Sequence, residues 1–442
     1  MPSTIPFLGG AMPETGHLDE FNSDPVKLMH RSYAECGEIS EFDLGGLRTV
    51  LLVGPEAHEA FFRTPDEQLS AAQAYQMMDP VFGEGIQYGA APDIERQQLK
   101  MQVQGLKHDR MVNYAGIVEQ EAQDFLCDWD VSGEFDIYEA FTKLTLKTST
   151  HCLLGADFRY QLTEEFAELY HDLEDGLAPS SLSDPFQDAE RFRRRDRARE
   201  RLEELISARV QQRRESGGWE HDMLQIYMDS TYSDGRKLTD HEITGMVIWF
   251  MFAGHHTSSN TTAWTLLEIA RNPQYKERLF AEIDALFAGE QALSLKGLRE
   301  IPLLEGFIRE SLRLHPPLNV ITRRVMSDWQ YKTFTVRAGM NIIVCPHVSH
   351  KLPEFFDNPE AFDPDRKPPA NLFAEIPFGG GRHKCIGNGF AILQVKAILS
   401  TLLHQYDFAL TATPESYGEI MPALILRPTD PCILSYCKRQ AS

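Results

Sequence analysis

Long apolar runs, a cysteine framework and basic charge are what this sequence lacks. Its greasiest stretch, MVIWFMF ahead of His255, is broken by polar residues well short of the ~20 apolar residues that a membrane-crossing helix needs. The N-terminus, MPSTIPFLGGAMPETGHLDE, has no basic segment followed by a hydrophobic one, so neither a signal peptide nor a membrane anchor is expected. The seven cysteines, at positions 36, 127, 152, 345, 385, 432 and 437, are odd in number and scattered. That is not a disulfide framework, and it points to a reducing cytoplasm. Forty-three Lys and Arg stand against 65 Asp and Glu, a formal charge of −22. Such a surface disfavours nucleic acid and anionic lipid as partners. No repeat, low-complexity linker or change in composition marks a domain boundary.

What is present is a chain of 442 residues, 42% hydrophobic, enough for a sizeable core. ISEFDLGGLRTVLLVGPEAHEAFF alternates with period two around a Gly-Gly turn, then stops at Gly-Pro where a helix starts. From about residue 94 to 290 apolar residues recur at three-to-four spacing, as in YAGIVEQEAQDFLCDW, FTKLTLKTSTHCLLG and LTEEFAELYHDLEDGL. In RFRRRDRARERLEELISARVQQRRES the arginines interleave with Glu and Asp, which reads as a solvated, ion-paired helix face. A long helix is expected from about Asp240 to Ala270, closed by RNP, and another from about 303 to 314, stopped by HPP. YKTFTVRAGMNIIV then reads as short strands turning at Gly339. The expected fold class is mainly α with a small β portion.

FGGGRHKCIGNGFAILQVKAIL begins at Phe378. Its three consecutive glycines permit tight, positive-φ turns close to a flat ligand. Cys385 precedes an amphipathic helix, whose dipole and backbone N–H groups favour a thiolate, and Arg382, His383 and Lys384 add positive charge. A cysteine near glycines taken alone reads more plainly as a buried structural residue. In RESLRLHPP, Glu310 and Arg313 share one helix face at i and i+3, and FDPDR supplies Arg366. CPHVSH offers Cys345, His347 and His350, but no second cluster completes a four-ligand metal site. AGHHTSSN places His255, His256 and Thr257 at the end of the apolar run. Adjacent helical residues point about 100° apart, so the two histidines are expected to be poor joint chelators.

Phe378-Gly-Gly-Gly-Arg382-His383-x-Cys385-x-Gly387 resembles the cysteine-ligand signature of the cytochrome P-450 superfamily. The Glu310-x-x-Arg313 pair and Arg366 resemble that family's structural triad. AGHHTSS, with His256 where the superfamily usually has an acid, is similar to the sterol 14α-demethylases of the soluble bacterial type. AYQMMDPVFGEGIQY, DHEITGM, LRLHPPL and IPFGGGRHKCIG extend the likeness over about residues 70 to 430. The resemblance implies one catalytic domain over 1–442, with no fused reductase or ferredoxin. It implies haem b ligated by the Cys385 thiolate, with Phe378, Gly379, His383, Arg323, Tyr75, Arg96 and Lys100 around the cofactor. Phe82, Ala253, Val320, Ile321 and Leu424 would line the substrate pocket, and Glu310, Arg313 and Arg366 would be structural.

The activity implied is O2-dependent oxidation of a C–H bond in a hydrophobic substrate, a sterol or related triterpenoid. His256, titrating near neutrality, and Thr257 would supply protons, and Gly254 would leave room for oxygen. Electrons would come from NAD(P)H through a ferredoxin and a ferredoxin reductase, the former docking on a basic patch that includes Arg382 and Lys384. The protein would be a cytoplasmic monomer without nucleic-acid or membrane partners. Three features depart from the pattern: Asn319 and Thr322 in HPPLNVITRR, Pro422 in EIMPALILRP, and PDIERQQLKM in place of a more basic helix. They leave open another lipid or terpenoid substrate. A peroxide-driven haem enzyme and a non-catalytic haem sensor also stay open.

Overall fold

The computed structural model describes residues 3–161, 163–177, 189–217, 222–288, 293–421 and 425–440. The chain divides into two compact units that share no simple boundary. One comprises Met1–Gln76, Arg309–Cys385 and Glu419–Arg427; the other comprises Met77–Ile308, Ile386–Gly418 and Pro428–Ser442. Each is assembled from distant segments, which is why composition along the chain shows no boundary.

The first unit is built on a five-stranded sheet in the spatial order Ile39–Leu44, Leu47–Leu52, Asn341–Val344, Ile321–Val325, Leu69–Ser70. The first two strands form the antiparallel hairpin expected around Gly45 and Gly46, both at positive φ. Leu47–Leu52 pairs in parallel with Asn341–Val344, which pairs antiparallel with Ile321–Val325. Side chains alternate across the sheet. Val50, Leu52, Ile342 and Val344 pack with Phe61 and Phe62 of helix Pro55–Arg63. Leu51 and Ile343 pack with Leu28 and Met29 of helix Pro25–Cys36. A sheet covered on both faces needs a continuous apolar run, and TVLLV supplies it.

Across this unit lies a buried ion-pair network. Arg313 donates through Nε to Glu310 Oε1 at 2.9 Å and through Nη2 to Oε2 at 2.8 Å. The two side chains are 0% and 1% exposed. The remaining guanidinium hydrogens go to the carbonyls of His350, Pro359 and Ala361. Arg366 Nε adds a third bond to Glu310 Oε1 at 3.0 Å. One carboxylate thus organises a long loop that has little secondary structure of its own.

The second unit is largely helical. Helix Asp240–Arg271 runs through it, started by a capping box in which Thr239 and Glu242 satisfy each other's backbone N–H groups. Around it are packed helices His108–Leu126, Ile137–Ser149, Thr163–Asp175, Ala189–Ser216 and Asn388–Gln405. A small sheet joins Ser132–Asp136, Ile433–Lys438 and Tyr406–Leu410. The arginine-rich helix is ion-paired within itself as its pattern indicates, with Arg197 to Glu190, Arg199 to Glu203 and Arg201 to Glu204, and also pairs with neighbouring elements, Arg194 to Asp175 and, in a buried pair, Arg213 to Asp222. Among the described residues only Gly381–Gln405 is long and apolar enough to cross a membrane, and 67% of its apolar window is buried in the protein.

Truncating Glu310 or Arg313 strands a fully buried charge, so either Ala variant should lose about 3–5 kcal/mol in chemical denaturation. Arg366→Ala should lose less, because its guanidinium reaches solvent. A second expectation concerns Glu375, just ahead of the Cys385 loop. Burial lifts its carboxyl from 4.5 to about 7, against the pull of Arg309. The folded state therefore holds a proton that the unfolded state gives up. That contribution to stability is complete below pH 4.5 and is lost as pH rises through about 7. Glu375→Gln should flatten melting temperature against pH across this window.

Candidate haem-thiolate site

The glycine loop belongs to the first unit, and its shape follows from close backbone approach. Gly379 and Gly381 lie at φ +65° and +61°. A Cβ at Gly381 would fall 2.1 Å from the Phe62 carbonyl oxygen, so this position tolerates only glycine. At Gly379 the nearest atoms to such a Cβ are 3.8 Å away, so there the turn, not crowding, demands glycine. The Cys385 N–H closes the loop on the Phe378 carbonyl at 3.0 Å, and Cys385 itself is exposed.

Charge is arranged beside the loop. His383 Nε2 hydrogen-bonds Asp66 Oδ1 at 2.7 Å, and Arg382 pairs with Asp66 Oδ2 at 2.9 Å. Burial pushes the Asp66 carboxyl up, but the His383 bond and the charges of His383, Arg382 and Arg323 outweigh it and hold it below its ordinary value. Asp66 had no signal in the sequence. It fixes Arg382, leaving Lys384 the more loosely held member of the expected basic patch. Arg323, 5% exposed, lies over the Phe61 ring and donates to the Thr322 carbonyl. The Thr322 N–H reaches the Tyr75 hydroxyl at 3.3 Å. The first unit therefore gathers Cys385, His383, Arg323 and Tyr75 with Val320 and Ile321, which are partly buried. Leu424 and Pro422 lie outside the described residues.

The second unit carries the rest. On helix Asp240–Arg271, most positions around the double histidine are buried, yet Ala253 is exposed and Thr257, one turn on, is partly so. These two residues form an open stripe. Thr257 Oγ1 donates to the Ala253 carbonyl at 2.8 Å, so outward it presents lone pairs. Much of the polar run that follows is satisfied within the helix: Ser259 and Asn260 bond the His256 carbonyl, Thr261 that of Thr257, and Thr262 that of Ser258, while Ser258 Oγ and Asn260 Oδ1 are buried without a partner. Phe82 is buried edge-on to Phe252. Arg96 and Lys100 are exposed on helix Pro92–Gln104, with Arg96 Nε on the Pro92 carbonyl.

Three expectations about this stretch of the helix change, two on the histidines and one on Gly254. His256 Nε2 is hydrogen-bonded to Glu174 of helix Thr163–Asp175, a partner that spacing along the chain could not reveal. Burial, with the charge of His171 nearby, pushes His256 down to about 3, not to neutrality, and burial lifts the Glu174 carboxyl well above its ordinary value. Burial thus disfavours the charged form of both partners. Gly254 does not open space for oxygen. A Cβ there would meet Leu153 at 3.4 Å and Ser149 at 3.9 Å, ordinary contact distances, so the position faces the neighbouring helical segment. Finally, the two rings are not held apart: their centroids lie 4.3 Å from each other.

The residues fit a haem group. An exposed cysteine sulfur stands at the end of a glycine loop that keeps side chains out of its way, and a buried guanidinium offers a partner for carboxylates. A thiolate on such a loop in a mainly helical chain defines the haem-thiolate class of oxidoreductase. The cytochrome P-450 family model matches residues 5–435, and the chain belongs to that family. It is 40% identical to a sterol 14α-demethylase of Mycolicibacterium vanbaalenii, over 98% of both chains. It is 38% identical to the sterol 14α-demethylase of Mycobacterium tuberculosis over 98% of both, and 36% identical to the bovine lanosterol 14-alpha demethylase over 92% of this chain and 82% of that one. The fold matches a retinoic acid-bound cyanobacterial protein, CYP120A1, at a TM-score of 0.87 and 22% identity, covering 99% of this chain and 100% of that one.

Gly381→Ala should cost more than ~1 kcal/mol, since the added Cβ meets both a positive φ and a carbonyl. Gly389→Ala, at an uncrowded helical position, should be neutral or stabilising by up to ~1 kcal/mol. Thermal melting of the two variants side by side checks the loop geometry.

Proposed function

We infer that this monooxygenase oxidises a sterol at its 14α-methyl group, using O2 and electrons that pass from NAD(P)H through a ferredoxin reductase and a ferredoxin. The observation that carries the reading is the Glu174–His256 pair set one residue before Thr257, in a chain 40% identical over its length to a sterol 14α-demethylase. We place the protein in the cytoplasm as a monomer, with residues 1–442 forming one catalytic domain.

Cys385 would ligate the haem iron, which supplies the site of O2 activation, its thiolate favouring O–O cleavage. Arg323, Tyr75, Arg96 and Lys100 would hold the propionates, while Phe378, Gly379 and the Asp66-anchored His383 shape the loop around the ligand. Glu174 holds a proton at its carboxyl, against Nε2 of His256. When Nε2 takes that proton, Nδ1 would hand its own to a water on the open stripe, and the Glu174 carboxylate, 20% exposed, would regain a proton from solvent. Thr257, its hydroxyl hydrogen committed to Ala253, accepts a hydrogen bond from a water on the open stripe. Phe82, Ala253, Val320 and Ile321 would supply apolar walls.

A second reading, oxidation of another lipid or terpenoid, is favoured by Asn319 Oδ1 and Thr322 Oγ1. Both are buried without a hydrogen-bond partner beside Val320 and Ile321. An oxygenated substrate would give such atoms a purpose.

With ferredoxin, reductase and NADPH, a 14α-methyl sterol should yield demethylated product and formate, and peroxide alone should not replace the electron partners. His256→Ala should slow product formation by about 10²-fold, the lower end for a positioned acid–base group. Thr257→Ala should bind substrate normally but release more hydrogen peroxide per NADPH. Sterol binding without formate would remove the sterol and keep the relay; coupling unchanged in both variants would remove the relay.

A further inference from the structure

Glu174, His255 and His256 form a cluster whose composition exceeds what a proton relay requires. A carboxylate oxygen of Glu174 and one ring nitrogen of each histidine lie within 4.8 Å of one another. Ligands 2.0–2.1 Å from a tetrahedral zinc ion stand roughly 3.4 Å apart, so small side-chain rotations close the set. Two imidazoles and one carboxylate with an open fourth position is a donor set that suits Zn²⁺, while Mg²⁺ and Ca²⁺ prefer oxygen alone.

The surroundings of His255 strengthen this. Thr145 Oγ1 donates its hydrogen to the Phe141 carbonyl at 2.7 Å, so toward His255 Nδ1, 3.0 Å away, it can only accept. Nδ1 is therefore the protonated nitrogen, and Nε2 keeps the lone pair. A histidine oriented by an oxygen on its far nitrogen is how metal-binding imidazoles are usually held. Both rings are neutral, because burial disfavours their charged forms. The cluster is also reachable, since 20% of the Glu174 side chain is exposed. His171, one turn earlier on the same helix, is exposed and within electrostatic reach of His256.

The geometry points to an inhibitory Zn²⁺ site formed by Glu174, His255 and His256, in which the ion displaces the Glu174 proton to solvent and replaces the hydrogen bond between Glu174 and His256. Its effect on turnover rests on the relay reading above; its existence does not. A bound ion would occupy Nε2 of His256 and the Glu174 carboxylate together, stopping proton transfer while leaving substrate binding and the haem ligand untouched.

The test uses the haem-loaded protein and Zn²⁺ alone. Equilibrium titration against a competing chelator should give one ion per chain. X-ray absorption at the zinc edge should show two imidazole nitrogens and an oxygen at about 2.0–2.1 Å. Glu174→Gln, which keeps shape and hydrogen bonding, and His255→Asn should each weaken binding at least tenfold while the haem spectrum reports an intact fold. Zn²⁺ should slow ferredoxin-supported turnover, reversibly with chelator, without altering the substrate-induced spectral change. Absence of binding, or binding that both variants leave unchanged, overturns the site and says nothing against the relay. Binding with the expected ligands but undiminished turnover upholds the site and overturns the relay.

Discussion

The carboxylate of Glu310 is the constraint on which the first unit turns. Out of water it needs compensation on both oxygens, and Arg313 and Arg366 provide it. Arg313 in turn needs carbonyls for its remaining hydrogens, and takes them from His350, Pro359 and Ala361. Those residues lie in a segment that forms almost no ladder or helix of its own. The charge network thus replaces secondary structure as the means of giving this loop one conformation. His350 extends the chain of dependence: its Nε2 accepts from the Ile376 N–H at 2.7 Å, two residues before Phe378. From the buried charge to the start of the cysteine loop there is a continuous path of obligatory hydrogen bonds.

The same economy of polar groups governs the long helix of the second unit. Its middle carries GHHTSSNTT, a poor sequence for a buried helix unless every polar atom is used. Most hydroxyls and amides turn back onto carbonyls of the preceding turn. The two imidazoles cannot do that, so they reach outward, His255 to Thr145 and His256 to Glu174. Burial then removes charge from both members of the Glu174 pair. A hydrogen bond between neutral partners spares both groups the cost of a buried, unpaired charge.

Glycine acts in two physically different ways here. Gly381 is required by the carbonyl of Phe62 and by a positive φ, whereas Gly254 faces the neighbouring helical segment at distances that a Cβ would also fit. From sequence both look like room for a ligand. Only the identity of the facing atom separates them.

Read alone, the sequence determined the elements and the ligand loop. The hairpin at Gly45-Gly46, the long helix near Asp240–Arg271 and the i, i+3 pairing of Glu310 with Arg313 are all written in local spacing, because each depends on residues within a turn or two of one another; the choice of Cys385 as the ligand rests on the resemblance of its loop to a family signature. Tertiary structure decided what those residues meet. Asp66 reaches His383 across 317 positions and Glu174 reaches His256 across 82, with no periodicity to announce either. It also decided protonation. An imidazole in a sequence carries its solution pKa, while His256 carries one near 3, since desolvation belongs to the packing around a side chain and not to the side chain itself.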